Sequence, residues 1–195
     1  MNIACAEISA ASLSSDLRAS VIKTVQRSLR VLRIPAPMRF SQWAEANFYL
    51  SVESSYIEGR WQCWPPQRGL MDMMAHDEVH HFSMRKSARV GYTKILLAHT
   101  GYEAEHKRRN AVIYQPTDDD RDEFVTTELE PMLRDVKCMR KVMPRFHRRS
   151  KDNTLRQKKF TTGLLHLRGG KAAKNYRRLT VDTVKYDEFD GFDRD

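Results

Sequence analysis

Apolar residues recur every three or four positions near the start of the chain, a spacing that predicts an amphipathic helix. They are Leu13, Leu17, Val21, Val25, Leu29 and Leu32. Pro35 and Pro37 end this helix, because proline lacks a backbone N–H and its ring clashes with the preceding turn. A second helix is predicted from after Ser41 to about Leu50, and a third follows Trp64 and its two prolines.

Short apolar runs farther along the chain predict four strands, at residues 79–84, 111–114, 164–167 and 179–186. One helix is predicted over residues 95–106 and another after Thr117, where the aspartates at 118–120 complement the helix dipole. We interpret these aspartates as capping charges, not as a metal site. Alternating strands and helices are typical of a parallel α/β sheet, in which ligands bind at the carboxyl ends of the strands.

Composition narrows the classes of protein. The 195 residues, 41% of them hydrophobic, suffice for one domain with a small N-terminal extension. Cys5, Cys63 and Cys138 form no C-x-x-C pair, which favours reduced thiols over disulfides or a zinc site. The pair His80 and His81 has no partners at metal-ligand spacing. No apolar run is long enough to span a membrane, and the N-terminus lacks the order of a secretion signal.

Residues 86–94 have the composition of a phosphate-binding loop with a displaced lysine. The common pattern is G-x-x-x-x-G-K-[ST]. When Gly91 takes the second glycine position, Thr93 takes the hydroxyl position, Tyr92 stands where lysine is usual, and Lys86 replaces the first glycine. Gly91 allows close backbone approach, Thr93 offers a hydroxyl to Mg²⁺, and Lys86 can reach the β- and γ-phosphates of ATP. The alternative is a basic loop before an amphipathic helix.

The last predicted strand ends in two acids, Asp187 and Glu188. In ATPases with such a strand, the aspartate helps to hold Mg²⁺ and the adjacent glutamate polarises the attacking water. Both roles require carboxylates at the carboxyl end of a buried strand that faces the phosphate loop. The alternative is a surface strand followed by an acidic turn, because further aspartates follow closely.

Several segments together resemble the N-terminal ATPase part of the large terminase subunit of lambda-like tailed phages, the motor that packages viral DNA. The resemblance extends from about residue 37 to residue 195. It is carried by residues 40–48, 58–68, 86–94, 126–135, 164–176 and 187–192. The displaced lysine is itself typical of that family. The resemblance implies a P-loop NTPase fold of the additional-strand, RecA-like kind, with a parallel sheet flanked by helices and truncated after the Walker B-like strand.

The resemblance also implies roles for individual residues, with ATP and Mg²⁺ as cofactors. Gln67 reads the adenine edge, Thr93 and Asp187 hold the metal, and Lys86, Arg89 and Glu188 are the catalytic candidates. The candidate ATP contacts are Gln67, Lys86, Ser87, Ala88, Arg89, Val90, Gly91, Tyr92, Thr93 and Lys94. Arg89 either contacts the γ-phosphate or pairs with Glu188 in the resting state. Tyr56 and Trp61 either stack on the base or pack in the core.

The net charge of +9 is concentrated in one region. Residues 137–178 contain fifteen Lys or Arg and one acid, Asp152. Such a field suits sequence-independent contact with the phosphates of duplex DNA; a solvated basic loop is the alternative. The candidate DNA contacts are Arg145, Arg148, Arg149, Lys151, Lys158 and Lys159.

Two features depart from the family pattern. Lys185 lies in the strand before the acid pair, where an apolar residue is expected, so the strand is expected at a sheet edge or the lysine side chain is expected to extend towards solvent. The chain also stops at Asp195, so we expect a partial ATPase domain over residues 37–195, without the C-terminal nuclease domain. Residues 1–36 are expected to form a helical extension that can contact the small terminase subunit.

Two classes of function remain open at this point. The first is an ATPase that, in the full-length protein, works as a homo-oligomer with the portal of the procapsid, in the cytoplasm of the host bacterium and without a membrane. The second is a non-catalytic DNA-binding remnant of a truncated prophage terminase. An unrelated helicase-type ATPase is a third interpretation, which the segments above disfavour.

Overall fold

The computed structural model describes residues 15–29, 36–87, 90–143 and 151–192. The chain divides into two compact units, residues 1–36 and 37–195. In the first unit, helix α1 spans Ser15–Leu29 and has Asp16 in its first turn, where an acid complements the helix dipole. Among the described residues, no helix is both long and apolar enough to cross a lipid bilayer.

The second unit combines helices with two β-sheets. Its helices are α2 (Phe40–Asn47), α3 (Pro65–Met74), α4 (Tyr92–Tyr102), α5 (Asp118–Phe124), α6 (Glu130–Asp135) and α7 (Met139–Val142). Its strands are β1 (Tyr49–Leu50), β2 (Gly59–Arg60), β3 (Ala111–Gln115), β4 (Gln157–Lys159), β5 (Leu164–Gly169) and β6 (Thr183–Tyr186). A π-helical turn, Glu103–Lys107, continues α4, and another, Val125–Leu129, joins α5 to α6.

The larger sheet has the strand order β4-β5-β3-β6. Strand β3 pairs in parallel with β5 on one side and with β6 on the other, so the α/β class and the parallel alignment of these three strands are confirmed. The prediction of a wholly parallel sheet is wrong, because β4 pairs antiparallel to β5 through a tight connection at residues 160–163. A short antiparallel pair, β1 and β2, forms a second sheet that the apolar pattern did not predict.

The strand predicted at residues 79–84 does not form. These residues follow α3 as irregular chain in which no side chain is fully buried. The weak apolar character of the segment explains the difference, since a central strand of such a sheet needs apolar side chains on both faces.

Helix α5 starts where the sequence predicts it. Thr117 caps the helix, because its hydroxyl accepts a hydrogen bond from the N–H of Asp120 at 3.1 Å. The Asp120 carboxylate in turn accepts from the N–H and the hydroxyl of Thr117, at 3.0 and 2.6 Å. This reciprocal cap confirms a capping role for Asp120, and it stabilises the start of the helix by about 1 kcal/mol.

Helix α4 and strand β3 form the centre of the core. Every residue of β3 is buried, and so is every residue of α4 from Ile95 onwards. Gly101 in α4 is needed for this packing, because a Cβ there would lie 2.8 Å from the ring of Trp43 in α2. The C-terminal part of α4 therefore packs closely against α2.

A buried ion pair joins the far end of α4 to strand β6. The Lys185 ammonium lies 2.6 Å from a carboxylate oxygen of Glu103, and both side chains are about 3% exposed. Lys185 also donates a hydrogen bond to the Thr100 hydroxyl at 3.0 Å, and Thr183 donates to Glu103 at 2.5 Å. Among the described strands β6 is an edge strand, as expected, but Lys185 points inward and does not extend towards solvent.

The pair keeps Glu103 ionised. Burial raises the pKa of Glu103, but the nearby Lys185 ammonium, His99 and the hydrogen bonds outweigh burial and hold the pKa at about 2, below the ordinary 4.5. Because the folded-state pKa is depressed, this contribution to stability is complete above about pH 4.5 and is lost as the pH falls towards 2. Burial and the Lys185 charge lower the pKa of the neighbouring His99 to about 3, so that the imidazole is neutral.

Removing one partner of this pair should cost far more stability than removing both charges. We expect Lys185→Met to lower the free energy of unfolding by about 3–5 kcal/mol, because it leaves the Glu103 carboxylate buried without a counter-ion. The double variant Glu103→Gln/Lys185→Met should lie within about 1–2 kcal/mol of the parent, since neither charge is then buried. Urea unfolding at neutral pH measures both values. Equal losses in the single and double variants would contradict a coupled pair.

Candidate functional site

Three polar side chains meet where β3 and β6 end and α4 begins. The Asp187 carboxylate, which follows β6, is 3% exposed. The Thr93 hydroxyl lies 3.4 Å from one oxygen of this carboxylate, and the Gln115 amide nitrogen lies 3.5 Å from the same oxygen. The structure therefore brings together the hydroxyl and the carboxylate that the sequence predicted to hold a metal. Both contacts are long, so the carboxylate keeps capacity for a further ligand.

The backbone at Gly91 leads directly into the first turn of α4. Gly91 has φ +76°, in the left-handed region that favours glycine, and its carbonyl accepts the first helical hydrogen bond from the Ile95 N–H at 3.1 Å. The Trp61 ring lies beneath it, 3.8 Å from the place of a Cβ on Gly91. Trp61 is buried and packs edge-on against Phe48, so it has the packing role, whereas Tyr56 is fully exposed.

Lys86 lies at the mouth of this site. Its side chain is exposed, and its ammonium lies 6.0 Å from the centre of the Tyr92 ring. Burial raises the pKa of Asp187 above its ordinary value, while hydrogen bonds from Gln115, Glu188 and Thr93 and the Lys86 charge act against that rise. Burial therefore makes the ionised form of Asp187 costly, and a cation bound beside it would offset that cost.

Gln67 connects helix α3 to the loop. Its amide oxygen accepts from the Trp64 N–H at 3.1 Å, and its amide nitrogen donates to the Val90 carbonyl at 3.4 Å. The side chain predicted to read adenine therefore contacts Val90, within the predicted phosphate loop. Both of its polar atoms have protein partners.

The other predicted site residues have different surroundings. Glu188 is exposed, with φ +50°, and its N–H donates to an oxygen of Asp187 at 3.2 Å. Ser87 is exposed. The Lys94 ammonium forms an ion pair with Glu128. Ala88 and Arg89 lie outside the described residues.

The basic region is not uniformly exposed. Lys158 was predicted to contact DNA, but it is fully buried in β4. Its ammonium lies 2.6 Å from Glu130 and 2.7 Å from Asn153. Lys159 is 60% exposed and lies 3.6 Å from Asp152, and Lys151 is exposed. Alternation along a strand explains the difference between neighbours 158 and 159. The remaining candidates, Arg145, Arg148 and Arg149, lie outside the described residues.

Two buried polar residues, Gln115 and Glu103, were not identified from the sequence. Gln115 is a buried polar residue at the carboxyl end of a wholly apolar strand, which is the signal that points to it. Glu103 is the buried partner of Lys185, and the unexpected lysine was the only sequence sign that such an acid exists. Among the described residues, no cluster of three or more His, Cys, Asp or Glu side chains has the arrangement of a metal site.

Comparison with known proteins places this chain in a family. The family described as "Phage terminase large subunit gpA, ATPase domain" matches residues 55–195. The chain is 45% identical to the large terminase subunit of Escherichia phage lambda over 172 residues, which cover 88% of this chain and 27% of that protein. It is 44% identical to the large terminase subunit of Enterobacteria phage P21 over 178 residues, 91% of this chain and 28% of that protein.

The chain thus spans about a quarter of the length of these two relatives. No solved structure matches it. The identities confirm the resemblance that the sequence segments indicated, and the matched region contains every residue of the site from Trp61 to Glu188.

The raised pKa of Asp187 predicts that its charge destabilises the protein at neutral pH. With no metal or nucleotide added, Asp187→Asn should raise the free energy of unfolding at neutral pH, because the buried charge is removed and the amide keeps the hydrogen-bonding shape. The gain should shrink as the pH falls towards 3.8, the ordinary pKa of an aspartate, because the parent carboxylate takes up a proton as the pH passes through its raised pKa. Urea melts at both pH values measure it, with exposed Asp190→Asn as the control. A loss of stability in Asp187→Asn at neutral pH would contradict the prediction.

Proposed function

Because the chain belongs to the phage terminase large subunit gpA ATPase-domain family, we propose that its site binds ATP with Mg²⁺ and hydrolyses ATP. The observation that carries the proposal is the meeting of Thr93, Asp187 and Gln115 behind a glycine-led helix start. Backbone N–H groups at a helix N-terminus suit phosphate, and the parallel strands β3 and β6 end beside them. We assign the site to a P-loop-type ATPase fold on this basis.

The residues present fit Mg²⁺. Its preferred ligands are oxygens, and the Thr93 hydroxyl and Asp187 carboxylate supply them side by side. The pKa of Asp187 is raised by burial, so a cation there compensates a charge that the fold otherwise leaves costly. When bound, the metal would neutralise charge on the ATP phosphates.

Lys86 supplies the mobile positive charge of the site. The ammonium lies 6.0 Å from the centre of the Tyr92 ring, and its exposed side chain would turn towards the phosphates when ATP binds. Ser87, Ala88, Arg89, Val90 and Gly91 would supply backbone N–H groups, and Tyr92, Thr93 and Lys94 the first turn of the helix. Gln67 would hold the loop through Val90 and turn to adenine only after giving up one of its two contacts.

Glu188 is the proposed general base. It follows the metal-binding aspartate, and its exposed side chain is free of the burial that constrains Asp187. A carboxylate in this position can orient water and accept a proton from it. Arg89 is proposed to stabilise charge on the γ-phosphate; its position lies outside the described residues.

The full-length protein is proposed to use this hydrolysis to package double-stranded viral DNA. Both relatives are named terminase large subunits. On that basis we propose a homo-oligomeric motor at the portal of the procapsid, in the host cytoplasm, with residues 1–36 available to the small terminase subunit. Arg145, Arg148, Arg149, Lys151 and Lys159 are proposed DNA contacts.

Loss of the displaced lysine should weaken nucleotide binding selectively. Lys86→Ala should reduce the affinity for ATP–Mg²⁺ by about 10- to 100-fold, since a hydrogen bond to a charged group is worth about 1.5–3 kcal/mol. The neighbouring exposed cation offers a matched control, and Arg85→Ala should change the affinity by less than about threefold. Isothermal titration calorimetry measures both.

Equal affinity in the parent and Lys86→Ala would remove the phosphate-loop assignment. If no folded variant, the parent included, binds ATP, the DNA-binding remnant becomes the better account of this chain.

Glu188→Gln should separate binding from chemistry. The amide cannot accept a proton from water, so hydrolysis should fall by about 10²–10⁴-fold. The affinity for ATP–Mg²⁺ should stay within about threefold, because Glu188 is not a proposed ligand of ATP or the metal. Phosphate release and calorimetry give the two values, and unchanged hydrolysis would exclude Glu188 as the base.

A further inference from the structure

Residues 170–178 form a basic loop between β5 and β6. Four exposed cations lie on it, with no acid among these residues. They are Lys171, Lys174, Arg177 and Arg178. The loop leaves the carboxyl end of β5, one strand away from β3 and two from β6, so it borders the edge of the sheet where the candidate ATP site lies.

The loop is held in a fixed shape by an aromatic stack. The Tyr176 ring lies parallel to the Tyr114 ring of β3, with centroids 4.7 Å apart and an interplanar angle of 12°. Tyr114 in turn stacks on Tyr186 at 5.2 Å and 16°. The Tyr114 hydroxyl donates to the Asn175 carbonyl at 3.0 Å, and the Asn175 amide donates to the Gly169 carbonyl at 2.8 Å. These contacts anchor Asn175 and Tyr176, which lie between the cations at 171 and 174 and those at 177 and 178.

Two glycines bring the loop against its neighbours. A Cβ on Gly169 would lie 2.5 Å from the Asp118 nitrogen, and one on Gly170 would lie 2.1 Å from the Phe192 ring. Phe192 also packs edge-on against Tyr186, which directly precedes the Asp187–Glu188 pair. The base of the basic loop and the turn after the two carboxylates therefore form one packed unit.

We propose that residues 171–178 form a contact surface for the phosphate backbone of duplex DNA, an inference that rests on the packaging role proposed above. Exposed Lys and Arg side chains on an anchored loop can bind backbone phosphates without reading sequence. Single-stranded DNA is the poorer fit, because binding it relies on several free aromatic faces. Residues 170–178 contain one aromatic, Tyr176, and one face of its ring is stacked on Tyr114. By contrast, Lys158 in the predicted basic region is buried and unavailable.

The test removes two charges from the loop and compares the salt dependence of DNA binding. In Lys174→Gln/Arg177→Gln, the slope of log K against log salt for a short duplex should become shallower by about 1.8, and affinity at low salt should fall at least about tenfold. Lys23→Gln/Arg60→Gln removes two exposed cations outside residues 137–178 and should leave the slope unchanged. Fluorescence anisotropy without nucleotide measures the slope, and thermal melts verify folding.

An unchanged slope in the loop variant, an equal change in the control variant, or tighter binding of the parent to a single strand of the same length would each overturn the proposal. Because nucleotide is omitted, the result is independent of ATP binding. A loop effect in a protein that fails to bind ATP would sustain this surface while removing the proposed ATPase.

Discussion

The buried pair between Lys185 and Glu103 holds the candidate site in register. Helix α4 contacts β6 through polar groups at both ends: Thr93 meets Asp187 at the site, and Glu103 meets Lys185 and Thr183 at the far end. Thr93 and Glu103 are ten residues apart along the helix, about 15 Å, and Thr183 lies four residues before Asp187 on the strand, about 13 Å. The contacts of Thr93 with Asp187 and of Glu103 with Thr183 therefore match in length. A shift of the helix along the strand would break both. An ion pair in the core is a costly connection, yet it also opposes sliding, which apolar contacts permit.

The buried Asp187 carboxylate lowers the stability of the folded protein at neutral pH. Asp187 is held buried, with a raised pKa and two long hydrogen bonds, where a neutral side chain would suit the fold better. Such a carboxylate is typical of a functional site, because a cation can compensate its charge. The rigid surroundings, namely the packing of Gly101 on Trp43 and of Gly91 over Trp61, keep it in place despite that cost. The Lys185–Glu103 ion pair thus has a structural role, whereas the exposed Lys86 is proposed to contact the ligand.

The sequence predicted the site better than the sheet. Thr93 and Asp187 were expected to converge, and they do, because both follow from the order of a parallel strand and a loop-led helix. The antiparallel β4 was missed because its three residues, Gln157–Lys159, have no apolar pattern. The strand at 79–84 was predicted from a short run that His80 and His81 make only weakly apolar, and it does not form. The sequence could not predict the burial of Glu103 or of Lys158, because each depends on an ion-pair partner that is distant in sequence.

The most direct test of the central claim is a crystal structure of the chain with Mg²⁺ and a non-hydrolysable ATP analogue. This account predicts the metal between the Thr93 hydroxyl and the Asp187 carboxylate, the phosphates over the N–H groups that follow Gly91, and the Lys86 ammonium turned from Tyr92 towards the β- and γ-phosphates. An analogue bound elsewhere, for example on the basic loop at residues 171–178, with Lys86 still over Tyr92, would contradict it.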